Sequence, residues 1–255
     1  MNFALFRYFA ALAAAVACLT ACGGLNNSTP SVSSAPATVR LRFIEAAPLL
    51  EAPVNGVPTG LGLTQYLSVN GTTISSPFPY TYISSYSDFR AGSQSVEVLD
   101  ELGYKVGPIK TDSLSSGKQY TIAIVGSYPN YTTIAFEDPS ATTSAQLTLY
   151  EAAPSFANVD FGRFEASTHS NFQKLGSAAY RSVVSASLAN SVSNFGGYAG
   201  RGAKPFRNGA LTLAAVNSFD ARNVLPFNAA TRLSLFVMDP AAAGDPPTVL
   251  GSLDP

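Results

Sequence analysis

The 255-residue chain has no tryptophan, one histidine, two cysteines, and charged side chains at only 12% of its positions. Each shortage removes a class of function. Cys18 and Cys22 both lie near the amino end, so no disulfide joins distant parts of the chain. An antibody-type immunoglobulin domain, with its tryptophan packed on an inter-sheet disulfide, is thereby excluded. His169 stands in a polar Ser-Thr-His-Ser-Asn stretch with no Gly-x-Ser-x-Gly turn elsewhere, so a serine triad lacks both its base and its elbow. Histidine, cysteine and carboxylates are nowhere clustered at ligand spacing. The adjacent acidic pairs Asp100-Glu101 and Glu137-Asp138 fit no calcium-loop pattern and read as turn residues after strands. No metal and no cofactor is expected. Fifteen basic residues against sixteen acidic ones give a net charge of −1, which is no footprint for nucleic acid.

What is present begins with an address. Arg7 and the amino terminus are positive, Tyr8 to Ala17 form a short apolar run, and small residues follow to Ala21. That order is a secretory signal, too short to span a bilayer, and it predicts a signal peptide over 1–21. Leu19-Thr20-Ala21-Cys22 resembles the lipobox of bacterial lipoproteins at all four positions. The resemblance implies cleavage before Cys22, a lipid on its sulfur and an acyl chain on its amine. At about 0.8 kcal/mol per buried methylene, two or three such chains hold a protein on a membrane for good. Gly23, not Asp, follows the cysteine. In Gram-negative lipoproteins an Asp there marks inner-membrane retention, so the resemblance implies the outer membrane, facing periplasm or cell surface. Residues 22–38 are rich in Gly, Ser, Asn and Pro and read as the lipidated cysteine and a flexible linker.

The body repeats itself. "LRFIEAAP" (41–48) returns as "LTLYEAAP" (147–154), "RAGSQSVEVLD" (90–100) as "RNGALTLAAVN" (207–217), "LSSGKQYTIAIVG" (114–126) loosely as "LPFNAATRLSLFVMD" (225–239), and "FEDP" (136–139) as "SLDP" (252–255). Landmarks in one order predict a duplicated module, over 39–140 and 141–255. "TVRLRFIE" alternates Val39, Leu41 and Phe43 against Thr38, Arg40 and Arg42, the period of a strand. Asn70-Gly71 between two β-prone runs predicts a hairpin with positive φ at both central residues. Turn signals every eight to twelve residues, with no long helical period, complete the expectation. The fold class is all-β: two tandem immunoglobulin-like antiparallel β-sandwich modules after a signal peptide and a tether. "AAYRSVVSASLANSV" (178–192) could be a helix or two strands, and strands are preferred.

Four carriers, "FIEAAP", "YSDFRAG" (86–92), "LSSGKQYTIAIVG" and "LYEAAPSFANVDF", together resemble domain-of-unknown-function family 4397, found in bacterial envelope and secreted proteins. The likeness is good over about 39–165 and faint beyond. Glu45 and Glu151 stand where the family commonly has His or Asn, and Leu49 and Ser155 where it usually has Asp. The resemblance supports fold and address and implies no activity.

Glu45 and Glu151 would suit a glycosidase pair only if they met; as equivalent positions of two copies, each is expected to satisfy its own backbone donors. "GGYAGRGAKPFRNG" (196–209), with Arg201, Lys204 and Arg207, has no phosphate-loop context and reads as an insertion able to make contacts. Tyrosine is unevenly spread, eight in the first module against three in the second. Phe78, Tyr80 and Tyr82 alternate on what reads as one strand face, and Tyr128 and Tyr131 flank a turn. Because tyrosine gives amphipathic contact area at low entropic cost, Tyr80, Tyr82, Tyr128 and Tyr131 are the candidate ligand contacts. The expected function is a non-enzymatic, lipid-anchored envelope protein that binds or scaffolds an envelope protein or glycan. Two other readings stand beside it: an accessory hydrolase or lyase for cell-surface polysaccharide, and an assembly factor for envelope proteins.

Overall fold

A strand that buries one face alternates, whereas a strand buried on both faces runs apolar without a break. Both kinds are present. The computed structural model describes residues 36–48, 65–100, 105–127, 130–140, 144–164, 173–187, 194–201, 204–205, 232–240 and 247–254. Its elements are all strands. One four-stranded sheet is ordered β4 (Ser87–Arg90), β1 (Thr38–Glu45), β7 (Gln119–Ser127), β8 (Asn130–Glu137); a second is ordered β3 (Thr72–Ser75), β2 (Gln65–Val69), β5 (Ser95–Asp100), β6 (Lys105–Lys110). The last eight strands pair in the same order. β12 (Val183–Ser187), β9 (Gln146–Glu151), β15 (Arg232–Met238) and β16 (Thr248–Asp254) form one sheet. β11 (Gln173–Ala179), β10 (Asn158–Phe164), β13 (Asn194–Arg201) and β14 (Lys204–Pro205) form the other. The two repeated octapeptides thus lie on β1 and β9, each second in its sheet.

Pairing corrects one expectation. The sheets are not purely antiparallel, because β1 runs parallel to β7 and β9 parallel to β15. Each half is a sandwich with its own core. Val39, Leu41, Phe43, Leu67, Val69, Val96, Ile122 and Ile124 fill the first, and Leu147, Leu149, Phe161, Leu233, Leu235 and Val237 belong to the second.

A third apolar layer joins the halves. Ile44, Ala123, Val125, Ile134 and Phe136 of the β1 sheet meet Tyr150, Phe236 and Met238 of the β9 sheet. Tyr150 stacks on Phe236 (4.6 Å, 24°) and takes Phe136 edge-on at 5.5 Å. Burying a side chain of this size contributes about 1.5–3 kcal/mol, so the layer is a core in its own right, and residues 37–255 form one compact unit. The central strands of the β1 and β9 sheets are therefore covered on both faces over most of their length, and all seven residues of β15 are buried. Arg42, on the polar face of β1 in the alternation, is only 3% exposed: that face looks into the other half rather than into water.

The Asn70-Gly71 turn forms as predicted, with φ of 51° and 80° and Val69 opposite Thr72. Phe78 to Tyr82 do not make a strand. They lie in an irregular crossing from β3 to β4 that is tied to β1, with Thr81 N–H donating to Glu45 O and Glu45 N–H to Tyr82 O. The other half repeats the device: residues 178–187 are strand, turn and strand, with Arg181 N–H donating to Glu151 O and Glu151 N–H to Ser182 O. Thr81 and Arg181 share a φ of 69°. Part of the stretch read as an insertion, residues 196–201 and 204–205, is strand and pairs within its sheet.

Candidate functional site

Where the β1 and β9 sheets meet, their last strands end in the repeated Asp-Pro, at Asp138 and Asp254. Each carboxylate is satisfied by the same scheme. Asp138 Oδ1 accepts the hydroxyl of Thr121, from β7 of its own half, at 2.7 Å, and that of Tyr150, from the opening strand of the other half, at 2.8 Å. Asp254 Oδ2 accepts Ser234, from β15 of its own half, at 2.6 Å. Arg42, from the opening strand of the other half, donates to Oδ1 and Oδ2 of Asp254 at 2.6 and 2.9 Å. Arg42 Nε donates to Thr121 Oγ1 at 2.8 Å, which links the two acids in one chain of hydrogen bonds. Tyr86 donates to Asp138 Oδ2 at 2.8 Å, and Ser252 donates to Asp254 Oδ1 at 3.1 Å.

Taking two charges out of water costs several kcal/mol per ion unless geometry and further hydrogen bonds offset it. Here the bidentate pair, the hydroxyls and two rings do so, with the Arg42 guanidinium 4.7 Å from the Tyr86 ring and 5.2 Å from Phe236. Burial works against the Arg42 charge, but hydrogen bonding to Asp254 and the charges of Asp254, Tyr86 and Asp138 outweigh it and raise its pKa. Burial first, then the Asp138 charge, push the phenols of Tyr86 and Tyr150 well above their ordinary value. Both stay protonated as donors.

A cleft of about 390 Å³ opens over this network, lined by Arg40, Tyr86, Lys118, Glu137, Asp138 and Arg232 among others. Lys118 and Glu137 pair at the exposed rim at 2.7 Å. Arg40 lies 5.3 Å from the Tyr86 ring. Arg232, at the start of β15, is 7% exposed; its Nη2 donates to Pro139 O at 2.6 Å and more distantly to Ser140 O, and its Nε has no hydrogen-bond partner among the described residues. Gln146, beside Arg232 on β9, also leaves Oε1 without a partner among the described residues and is not among those lining the cleft. Among the described residues no three His, Cys, Asp or Glu converge to hold a metal ion.

The repeated glutamates do not meet at a common site. Each is fully buried and folds back on its own Ala-Ala-Pro turn: Glu45 Oε1 accepts Ala47 N–H at 2.6 Å and Glu151 Oε1 accepts Ala153 N–H at 2.9 Å. Oε2 of each has no partner among the described residues. Burial, only partly countered by the backbone donor, raises Glu45 well above the carboxylate range and pushes Glu151 up to about 9.

The three described candidate tyrosines, Tyr80, Tyr82 and Tyr131, lie in different surroundings. Tyr80 is half-buried against the layer between the halves and donates its hydroxyl to Asp239 O, its pKa pushed up to about 12, chiefly by burial. Tyr82 is exposed and edge-on to Phe78 at 5.8 Å. Tyr131 packs against the first core, and Tyr128 lies outside the described residues, as do Cys22, His169 and Arg207. Sequence reading gives Arg42, Asp254 and Arg232 no site role and takes Asp138 as a turn residue after a strand. Two signals bear on them: the recurrence of Asp-Pro at both module ends, and the unbroken apolar runs of β7 and β15, which reveal that a second face is covered.

A family described as Domain of unknown function (DUF4397) matches residues 53–162, from ahead of β2 through β8 and into β10. One copy of this domain is found. No curated protein matches the chain.

Proposed function

We propose that this is a non-enzymatic, lipid-anchored protein of the bacterial cell envelope, held to the outer membrane through Cys22. In this reading its body is two copies of one immunoglobulin-like module and binds or scaffolds another envelope component at the seam between them. The duplication is supported by the shared strand order, by equivalent places for the two octapeptides, and by the matched duties of Asp138 and Asp254. The anchor is supported by Leu19-Thr20-Ala21-Cys22.

One observation carries the binding role. In the seam cleft the buried carboxylates are held in place, Asp138 by three hydroxyls and Asp254 by Arg42 and two serines, and half-exposed Arg40, Lys118 and Glu137 stand above this fixed floor. A fixed floor beneath exposed charged side chains lowers the ordering cost of binding a partner there. The test is crosslinking in cells with the tagged, lipidated protein, followed by mass spectrometry, with Cys22→Ser as control. A specific envelope protein or glycan captured by the wild type and lost in the control is the expected result. Membrane retention of Cys22→Ser, or turnover of an envelope polymer by the purified body, contradicts the proposal.

A further inference from the structure

The turn between β2 and β3 carries chemistry of its own. An asparagine followed by glycine can modify itself, because the glycine's backbone nitrogen, once deprotonated, attacks the side-chain carbonyl carbon of the asparagine. At Asn70-Gly71 the new bond joins Gly71 N to Asn70 Cγ and closes a five-membered succinimide. The Cγ–Nδ2 bond breaks, and Nδ2 leaves as ammonia, regaining from solvent the proton that solvent took from Gly71 N. Water then opens the ring at either carbonyl, leaving aspartate or its isomer with the backbone running through Cγ. No oxidant, reductant or other co-reactant is needed. Gly71 does nothing to hinder the attack: both residues of the turn are exposed, and no described atom lies within 4 Å of where a Cβ on Gly71 would stand.

What opposes the reaction is the partner strand. Asn70 Oδ1 accepts Ser95 N–H at 2.9 Å and Nδ2 donates to Gln94 Oε1 at 2.7 Å, which bonds the carboxamide to the start of β5. Gln94 is itself fixed. It is 2% exposed, its Nε2 donates to Arg90 O at 2.8 Å and Gly92 O at 2.9 Å, and its N–H donates to Thr111 Oγ1 at 2.9 Å. With Nε2 spent on two carbonyls, Gln94 offers Asn70 only an acceptor, and an intact amide supplies the donor.

We infer that Asn70-Gly71 is a latent self-modification site, which Gln94 and Ser95 hold unreacted while the turn is docked on β5. To react, the carboxamide must leave both partners and swing onto its own turn. Once made, the change spreads. An aspartate at position 70 still accepts Ser95 N–H, but its second oxygen faces Gln94 Oε1, acceptor against acceptor. Gln94 can turn its amide to meet it only by giving up Arg90 O and Gly92 O. Buried polar groups left unmade are costly, so a lesion at an exposed turn reaches the end of β4. The isomer lengthens the backbone of a turn whose two residues set Val69 opposite Thr72.

The full chain carrying Cys22→Ser is incubated at neutral pH in heavy-oxygen water, folded or in urea, and new carboxyls are located by peptide mass spectrometry. Two more Asn-Gly pairs, Asn55-Gly56 and Asn208-Gly209, lie outside the described residues and give, in urea, the rate of an unheld pair. Asn70 should match that rate in urea and react about tenfold or more slowly in the folded chain, as two hydrogen bonds of ordinary net strength require. Gln94→Ala, shown to be folded by a cooperative urea transition, should speed the folded reaction about fivefold, one bond's worth. Asn70→Asp should unfold at lower urea than wild type. An Asn70 that reacts as fast folded as unfolded overturns the inference without any variant, as does a folded Gln94→Ala no faster than wild type. An Asn70→Asp midpoint equal to that of wild type overturns the claim that the change spreads past the turn.

Discussion

Replacing Glu151 with glutamine takes away a proton equilibrium and little else. In the folded protein the carboxyl is fully buried, with Oε1 on Ala153 N–H and Oε2 on no described residue, and burial pushes its pKa from 4.5 to about 9. The folded state therefore holds its proton more tightly than the unfolded chain does. The stability this gives is fully present below about pH 4.5 and is lost as pH rises towards 9. Each pH unit in that window costs about 1.4 kcal/mol, so by pH 7 about 3 kcal/mol has gone. Glutamine keeps the acceptor for Ala153 and never ionises, though its amide buries one more unpaired N–H, at about 1 kcal/mol. Glu151→Gln should then be more stable than wild type by about 2 kcal/mol at pH 7, or roughly 4–8 °C in Tm for a body of this size. At pH 4.5 and below the advantage should vanish or reverse slightly. Urea unfolding at pH 4.5, 7 and 8.5 measures it. A difference independent of pH, or a variant less stable at pH 8.5 than at 4.5 relative to wild type, would refute the reasoning. Glu45→Gln should move in the same direction, because Glu45 has the same geometry.

Three further expectations concern the joint and one turn. Asp254→Ala strands the Arg42 guanidinium inside the seam and should cost about 3–5 kcal/mol in urea unfolding, with Arg42→Met in the same chain recovering most of the loss. Tyr150→Phe removes a single buried hydroxyl donor to Asp138 and should cost about 1–3 kcal/mol, less than Asp254→Ala by the same assay. Gly71→Ala meets no atom within 4 Å at its new Cβ, so its cost is the left-handed backbone alone (φ 80°). That cost is about 1–2 kcal/mol, read as a lower urea midpoint at unchanged m-value.

The sequence displays its strands more openly than its layers. Period-two alternation in β1, the Asn70-Gly71 turn and the doubled octapeptide are local signals, and the structure carries each of them as strand or turn. Arg42 shows where local reading stops. Alternation says that Arg40 and Arg42 share a face but cannot say what covers it. Arg40 ends half-exposed at the rim and Arg42 buried against Asp254, 212 residues away. Phe78, Tyr80 and Tyr82 mimic the alternation of a strand, yet Thr81 at φ 69° and the bonds to β1 hold that segment as a crossing between sheets. The parallel pairing of β1 with β7 leaves its mark only as the apolar run "YTIAIV", which a single sandwich with one wet face does not need. Arg232 carries no local signal at all: its burial depends on the linker carbonyls of Pro139 and Ser140 folding over it.

The account stands on the two halves being one body with a permanent seam. Differential scanning calorimetry of residues 37–255 tests that most directly. The prediction is one transition, with calorimetric and van't Hoff enthalpies equal, and a Phe236→Ala replacement in the shared layer that lowers the whole of it. Two separable transitions, with Phe236→Ala shifting only the second half, would mean that the halves fold apart and that the seam cleft is not a built site.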